Sequence, residues 1–220
     1  MTQPSTEPVP PAVRAQILAT EHWGLLAVRS QTWSEVMGRI TAQLTFASAS
    51  LVFLALAVQG LGYSATFRLL AVTLGLALFV TGTLTSFRVA NASQEDYMFI
   101  KGMNRLRAGY LEIDPTLEPY FITGVTDDVV GIGQTYTMGP VRTGSQAAAS
   151  AAMFILVVNT IVAAGVTVIL AWPLGGWIAG LAGAVVAACH FALWIWYGWR
   201  QWQVNVNPEW VRFPSAPVSP

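Results

Sequence analysis

No aspartate, glutamate, lysine or arginine occurs between Arg142 and Arg200. An uncharged run of that length leaves few folds open. A bilayer core of about 30 Å is crossed by about 20 apolar residues in helical form, so the run is long enough to cross twice. Residues 171–177, AWPLGGW, interrupt it. Proline and paired glycines are turn chemistry, and tryptophan at both ends suits a membrane–water interface. The spacing predicts spans over 148–171 and 175–199. The other reading is a helical hairpin buried in a water-soluble core, but such a core has little need of two long uncharged stretches.

The first half repeats the pattern. Arg39 is followed by uncharged sequence up to Arg68, and Leu69 to Phe87 is again free of charge. This predicts spans over about 39–60 and 65–88, joined at Gly62, Tyr63 and Ser64. Across the chain 54% of residues are hydrophobic and 10% charged, against about 25% charged in a soluble domain. The fold class expected is an all-α membrane protein of two transmembrane hairpins. Net charge is zero, which gives no electrostatic basis for nucleic-acid binding. Cys189 is the one cysteine, so an intramolecular disulfide is excluded. The N-terminus lacks the apolar run of a cleaved secretory signal.

Four spans place both termini on one side. Arg14, Arg29, Arg39, Arg88, Lys101, Arg105, Arg107, Arg142, Arg200 and Arg212 then share that side with the central loop, and Arg68 falls on the other. The positive-inside rule makes the basic-rich side cytoplasmic, the expectation for a multi-pass protein of a bacterial inner membrane. WIWYGWRQW (194–202) reads as an aromatic and basic anchor at the end of the fourth span.

The expected organisation is a disordered N-terminus (1–11), a cytoplasmic amphipathic helix (12–38), a transmembrane hairpin (39–90), a cytoplasmic helical and loop segment (91–147), a second hairpin (148–199) and a cytoplasmic tail (200–220), disordered after Asn207. Ala19, Trp23, Leu26 and Trp33 mark one face of the first helix, and Phe99, Met103, Leu106 and Tyr110 a stripe beyond the second span. These two arms are expected to pack as a hairpin. The second arm should end near EIDP, because the residue before a proline disfavours helix. Asp114 then caps a short helix with Pro115 at its first position. Lys101, Arg105, Arg107, Glu112, Asp114 and Glu118 read as a solvated face or as a docking surface for a cytoplasmic partner.

No catalytic, cofactor or metal motif is present. His22 and His190 are far apart in sequence, and Cys-x-x-Cys, His-Glu-x-x-His and Glu-x-x-His are all missing. Asp127 and Asp128 suit a helix cap or a solvated loop better than a cation site. Gly131 and Gly133 lack the strand and third glycine of a dinucleotide site. Cys189 and His190, adjacent on a helix, point about 100° apart and make a poor dyad. The chain reads as a non-enzyme without cofactors.

Polar residues inside the spans say more. Asn159 and His190 lie at similar depths, which predicts that they hydrogen-bond, either as a helix clasp or on a proton or ion path. Thr41, Thr45 and Ser48 form a stripe on the first span, and Thr81 and Thr85 on the second. Such stripes line a pore or else bond back to their own helices. Gly176, Gly180, Ala184 and Ala188 form a small-residue ladder, suited to close approach of the third span or of another subunit.

Residues 91–136, with GMNRLRAGYLEIDPTLEPYF near the centre, resemble an uncharacterised family of small bacterial four-span integral membrane proteins, and EHWGLLAVRSQTW (21–33) fits the same resemblance. It implies the four-span architecture and no activity. The arrangement of spans with cytoplasmic helices is also similar to the membrane effector domains of bacterial nucleotide-sensing defence systems. The functional expectation is an oligomeric pore or membrane effector, in contact with the lipid bilayer and with its own copies. The alternative is a non-conducting scaffold or accessory subunit that recruits a cytoplasmic partner.

Overall fold

The computed structural model describes residues 9–138 and 142–216. Among these every regular element is helical: α1 (Pro11–Leu61), α2 (Ala65–Ile113), a 3-10 turn (Pro115–Tyr120), α3 (Val129–Thr137), α4 (Thr143–Ala148), α5 (Ala151–Ala171), a 3-10 turn (Trp172–Leu174), α6 (Gly176–Asn205) and a last 3-10 turn (Pro208–Trp210). α1, α2, α5 with its following turn, and α6 are each long and apolar enough to cross a membrane. The expected disorder of 1–8 lies outside the described residues, but Pro11 already opens α1, where its fixed φ and missing N–H cost nothing. α1 has 51 residues, about 75 Å of helix at about 1.5 Å per residue, which is longer than a single bilayer crossing requires.

Local chemistry explains the ends. α1 stops at a turn in which Gly62 takes φ +57°, a left-handed conformation that glycine adopts without steric cost. α2 stops at Ile113, and the Asp114 carboxylate accepts the Thr116 N–H to start the next turn, as its sequence position suggests. Asp128 caps α3 by accepting from Gly131 N at 2.9 Å. Ser150 caps α5 through Met153 N.

The chain divides into two compact units. One contains the residues up to Gln31, Glu95–Arg142 and the residues from Val204 onward. Here α2 is the central helix: Asp96, Tyr97, Ile100, Lys101, Met103 and Asn104 are all buried. Its apolar core joins Tyr97, Ile100 and Met103 to Ile132 of α3, with Leu25 and Val206 packed against them. α1 runs antiparallel to α2, so that Leu18 meets Gly109 and Leu25 meets Gly102. Arg14 pairs with Glu112, and His22 stacks on Tyr110 with ring centroids 6.4 Å apart.

The inward face of α1 in this unit is not the one its large apolar residues suggest. Trp23 is 72% exposed, whereas Leu18, His22, Leu25 and Arg29 are turned toward α2. His22 and Arg29 stand seven residues apart here, and Val36, Gln43 and Ser50 repeat that interval among residues of the other unit, the period of a coiled-coil seam. Most positions on that seam are polar, so a search for apolar periodicity passes over it.

The other unit contains Thr32–Gln94 and Thr143–Gln203. Val36 and Ile40 of α1, Val89 and Ala92 of α2 and Ile155 of α5 make its apolar core. Glu35 accepts from Arg39 at 2.9 Å and from Arg88 at 3.0 Å. The small-residue ladder on α6 is displaced by one residue from its expected place. Ala179 and Gly183 are the buried pair, and a Cβ on Gly183 would stand 2.6 Å from Val168 and 3.3 Å from the Ala164 carbonyl of α5. Gly176, Gly180, Ala184 and Ala188 are exposed.

Candidate functional site

Each unit contains its own buried polar cluster. In the unit formed by the apolar spans, Gln43 of α1 donates through Nε2 to the Leu78 carbonyl at 2.9 Å and accepts from Thr81 at 2.8 Å. Asn159 of α5 is fully buried and donates through Nδ2 to Thr83 Oγ1 at 3.0 Å. Asn159 Oδ1 has no hydrogen-bond partner among the described residues. It sits 2.3 Å from where a Cβ on Gly82 would stand, and Gln43 Nε2 lies 3.1 Å from the same point. A side chain at position 82 would have to displace Asn159, so glycine permits this approach. Gln43, Gly82 and Asn159 therefore join α1, α2 and α5 at one level.

Asn159 and His190 do not form the expected pair. His190 Nδ1 lies 2.8 Å from Thr160 Oγ1, one residue further along α5. The Thr160 hydroxyl also lies 2.8 Å from the Leu156 carbonyl. His190 Nε2 is buried and unpartnered among the described residues. Phe79 and Trp194 flank the ring, with centroids at 5.7 and 6.4 Å. Adjacent positions on a helix differ by about 100°. Equal depth put Asn159 and His190 together in the sequence reading, but azimuth separates them.

Thr41, Thr45 and Ser48 are exposed on α1, and Thr45 donates back to the Thr41 carbonyl at 2.9 Å. Of Thr81 and Thr85, only Thr85 is buried, and it donates to the Thr81 carbonyl.

The second cluster surrounds α2 in the other unit. Asp96, 3% exposed, accepts from Arg29 Nε at 2.6 Å and from the Tyr136 hydroxyl at 2.7 Å. Burial, then the Asp96 charge, raises the pKa of Tyr136 far above the usual phenol value. Asn104 donates to the Thr126 carbonyl at 2.7 Å and accepts from Arg107 and Thr135, each at 2.8 Å. Lys101 is 1% exposed, with its ammonium 6.0 Å from the centre of the Tyr97 ring. Desolvation lowers its pKa, and the charge of Asp127 works against that.

Asp127, with no exposed surface, accepts from Arg105 Nε at 2.7 Å, from Phe213 N at 2.7 Å and from Arg212 N at 3.0 Å. Burial favours its neutral form, but these donors outweigh burial and its pKa is lowered. Asp128 likewise loses to burial and gains more from Gly131 N, Ser215 and Thr126, which bring its pKa down to about 2.

The expected docking surface is therefore not assembled as one exposed face. Lys101 is buried, Arg105 holds Asp127, Arg107 holds Asn104, Asp114 caps a turn and Glu112 pairs with Arg14, while Glu118 is exposed. The tail is not disordered over 208–216, since its backbone is tied to Asp127 and Asp128; residues 217–220 lie outside the described part. Sequence reasoning had a partial signal for this. Asp127 and Asp128 suited a helix cap or a solvated loop, and Asp128 is a cap, but nothing announced a distant donor for Asp127.

Fold and clusters together define an all-helical chain with four helices able, by length and composition, to cross a membrane. Comparison with protein-family models, curated proteins and solved structures finds no match. The resemblance noted over residues 91–136 receives no support from them.

Proposed function

We propose that the chain is a multi-pass protein of the bacterial cytoplasmic membrane, with both termini and the 91–147 segment in the cytoplasm, and that its copies assemble around a shared polar path lined by Thr41, Thr45 and Ser48. One observation carries this reading. The stripe lies exposed on α1, whose apolar window is 6% buried within the chain, against 28% for α2 and α5 and 11% for α6. Thr45 donates to the Thr41 carbonyl within its own helix, but the lone pairs of these hydroxyls still gain from a watered common axis, because lipid offers them no donors. Single-protomer burial of the stripe, which a non-conducting scaffold would favour, is not what α1 presents. The exposed ladder Gly176, Gly180, Ala184 and Ala188 suits close contact between copies. Orientation rests on the ten basic residues of the terminal side. No enzymatic role, cofactor or nucleic-acid partner belongs to this reading.

The test is ion flux through purified protein in liposomes. Wild type conducts and Thr45→Leu does not, if α1 lines the path. Absence of flux in both, with protein folded and oriented, replaces the pore by the accessory-subunit reading. That second reading has its own support in the exposed side chains of Tyr120 (77%) and Ile122 (83%), which a cytoplasmic partner could cover.

A further inference from the structure

We infer that the corner formed by Asp127 and Asp128 is a docking site for a short bent peptide, and that residues 208–216 are its detachable resident ligand. The contacts form a continuous recognition pattern. Arg105 donates to the Trp210 carbonyl, Arg212 N and Phe213 N donate to the Asp127 carboxylate, and Asp127 N donates to the Phe213 carbonyl at 3.0 Å. Ser215 gives both its N–H, at 2.8 Å, and its hydroxyl to Asp128 Oδ2. Pro214, which has no N–H, falls at the one position between these donors and is exposed. The segment also alternates in burial, with Val211, Phe213 and Ser215 half-buried and Arg212, Pro214 and Ala216 exposed. The backbone bends at Arg212 and Phe213, which turns their successive N–H groups toward one carboxylate, a concavity of backbone donors suited to an anion.

The hold is polar and shallow. Trp210 is 51% exposed, and no residue of 208–216 belongs to the buried apolar core of this unit, which the chain leaves at Val206. Segments with few buried apolar contacts open at low free-energy cost while the core stays folded. The receptor does not depend on the strap for its form. Asp128 is set by capping α3 through Gly131 N and by Thr126, and Asp127 by Arg105. The ligand class is a bent segment with N–H groups at two successive residues, none at the third, and an N–H with a hydroxyl at the fourth.

Hydrogen exchange of the full chain in lipid nanodiscs tests this, with a synthetic peptide of residues 207–216 as competitor. The amides of Arg212, Phe213 and Ser215 should be protected, yet exchange at least ~10-fold faster than those of 97–104 in α2. Peptide at about 5 mM should speed strap exchange ~3-fold or more, because it occupies the vacated corner against an intramolecular competitor of roughly millimolar effective concentration. A peptide carrying Ser215→Pro, which lacks both donors to Asp128, should have no such effect. In the full chain, Ser215→Pro should deprotect Phe213 and leave 97–104 unchanged. Strap amides as slow as those of α2, loss of α2 protection in Ser215→Pro, or strap exchange indifferent to wild-type peptide would each overturn the inference.

Discussion

Arg29 Nε meets Asp96 Oδ1 at 2.6 Å, although 67 residues separate them, and the aspartate side chain is 4% exposed. The pair lies on the polar seam of α1, seven residues after His22 and seven before Val36. A charged pair at such a position selects the register in which each charge finds its partner, since a slipped register leaves both in a desolvated site.

Arg29→Ala should therefore cost about 3 kcal/mol, because it takes the guanidinium from a buried carboxylate. Arg29→Lys should cost about 1 kcal/mol, as a point charge replaces a fork that also reaches Oδ2 at 3.4 Å. Chemical denaturation in detergent measures both, and equal costs would contradict the geometric part of the argument.

Gly82→Ala places a methyl group 2.3 Å from Asn159 Oδ1. Overpacking of this kind costs about 1–3 kcal/mol. The double variant Gly82→Ala, Asn159→Ala should be more stable than the sum of the single changes implies, since the second removes the obstacle met by the first. Additive melting-temperature shifts would show that the two residues are not coupled.

Asp128 supplies an acid-sensitive hold. Its folded pKa, about 2, lies below its ordinary value of 3.8, so its contribution is complete above about pH 4 and is lost as pH falls through about 2. Protection of 208–216, corrected for intrinsic exchange, should decline across that window. In Asp128→Asn the decline should be smaller, with lower protection at neutral pH.

His22 acts nearer neutrality. Partial burial, then the nearby Arg107 charge, lowers its pKa from 6.5. The folded state thus binds fewer protons than the unfolded chain, and stability is complete above about pH 6.5 and declines below it until the folded pKa is passed. Exchange protection of residues 15–30 should fall a few-fold between pH 7.5 and 5.5, and His22→Gln should flatten the profile.

Several features were legible from local chemistry. The uncharged runs announced α5 and α6, and Asp114 with Pro115 announced the end of α2. The α1 face was misread at Trp23 and Leu26, which are exposed, while Ala19 and Trp33 of the same expected face are half-buried; His22 and Arg29 hold further inward positions. Hydrophobic periodicity reports where apolar groups recur, and a seam of polar groups satisfied by a neighbouring helix leaves no such trace. Lys101, Arg105 and Arg107 read as solvated for a similar reason: charge alone does not reveal that a chain segment will close over it.

The sequence by itself determined the number of long apolar helices and the points where several begin and end. These follow from hydropathy, glycine, proline and capping side chains within a few residues of each position. The tertiary structure alone decided which polar groups meet: Thr83 with Asn159 across 76 residues, Arg105 with Asp127 across 22, and Asp127 with Arg212 across 85. Azimuth around each helix and the path of the returning chain select those partners, and a buried polar group is stable only where that selection supplies one.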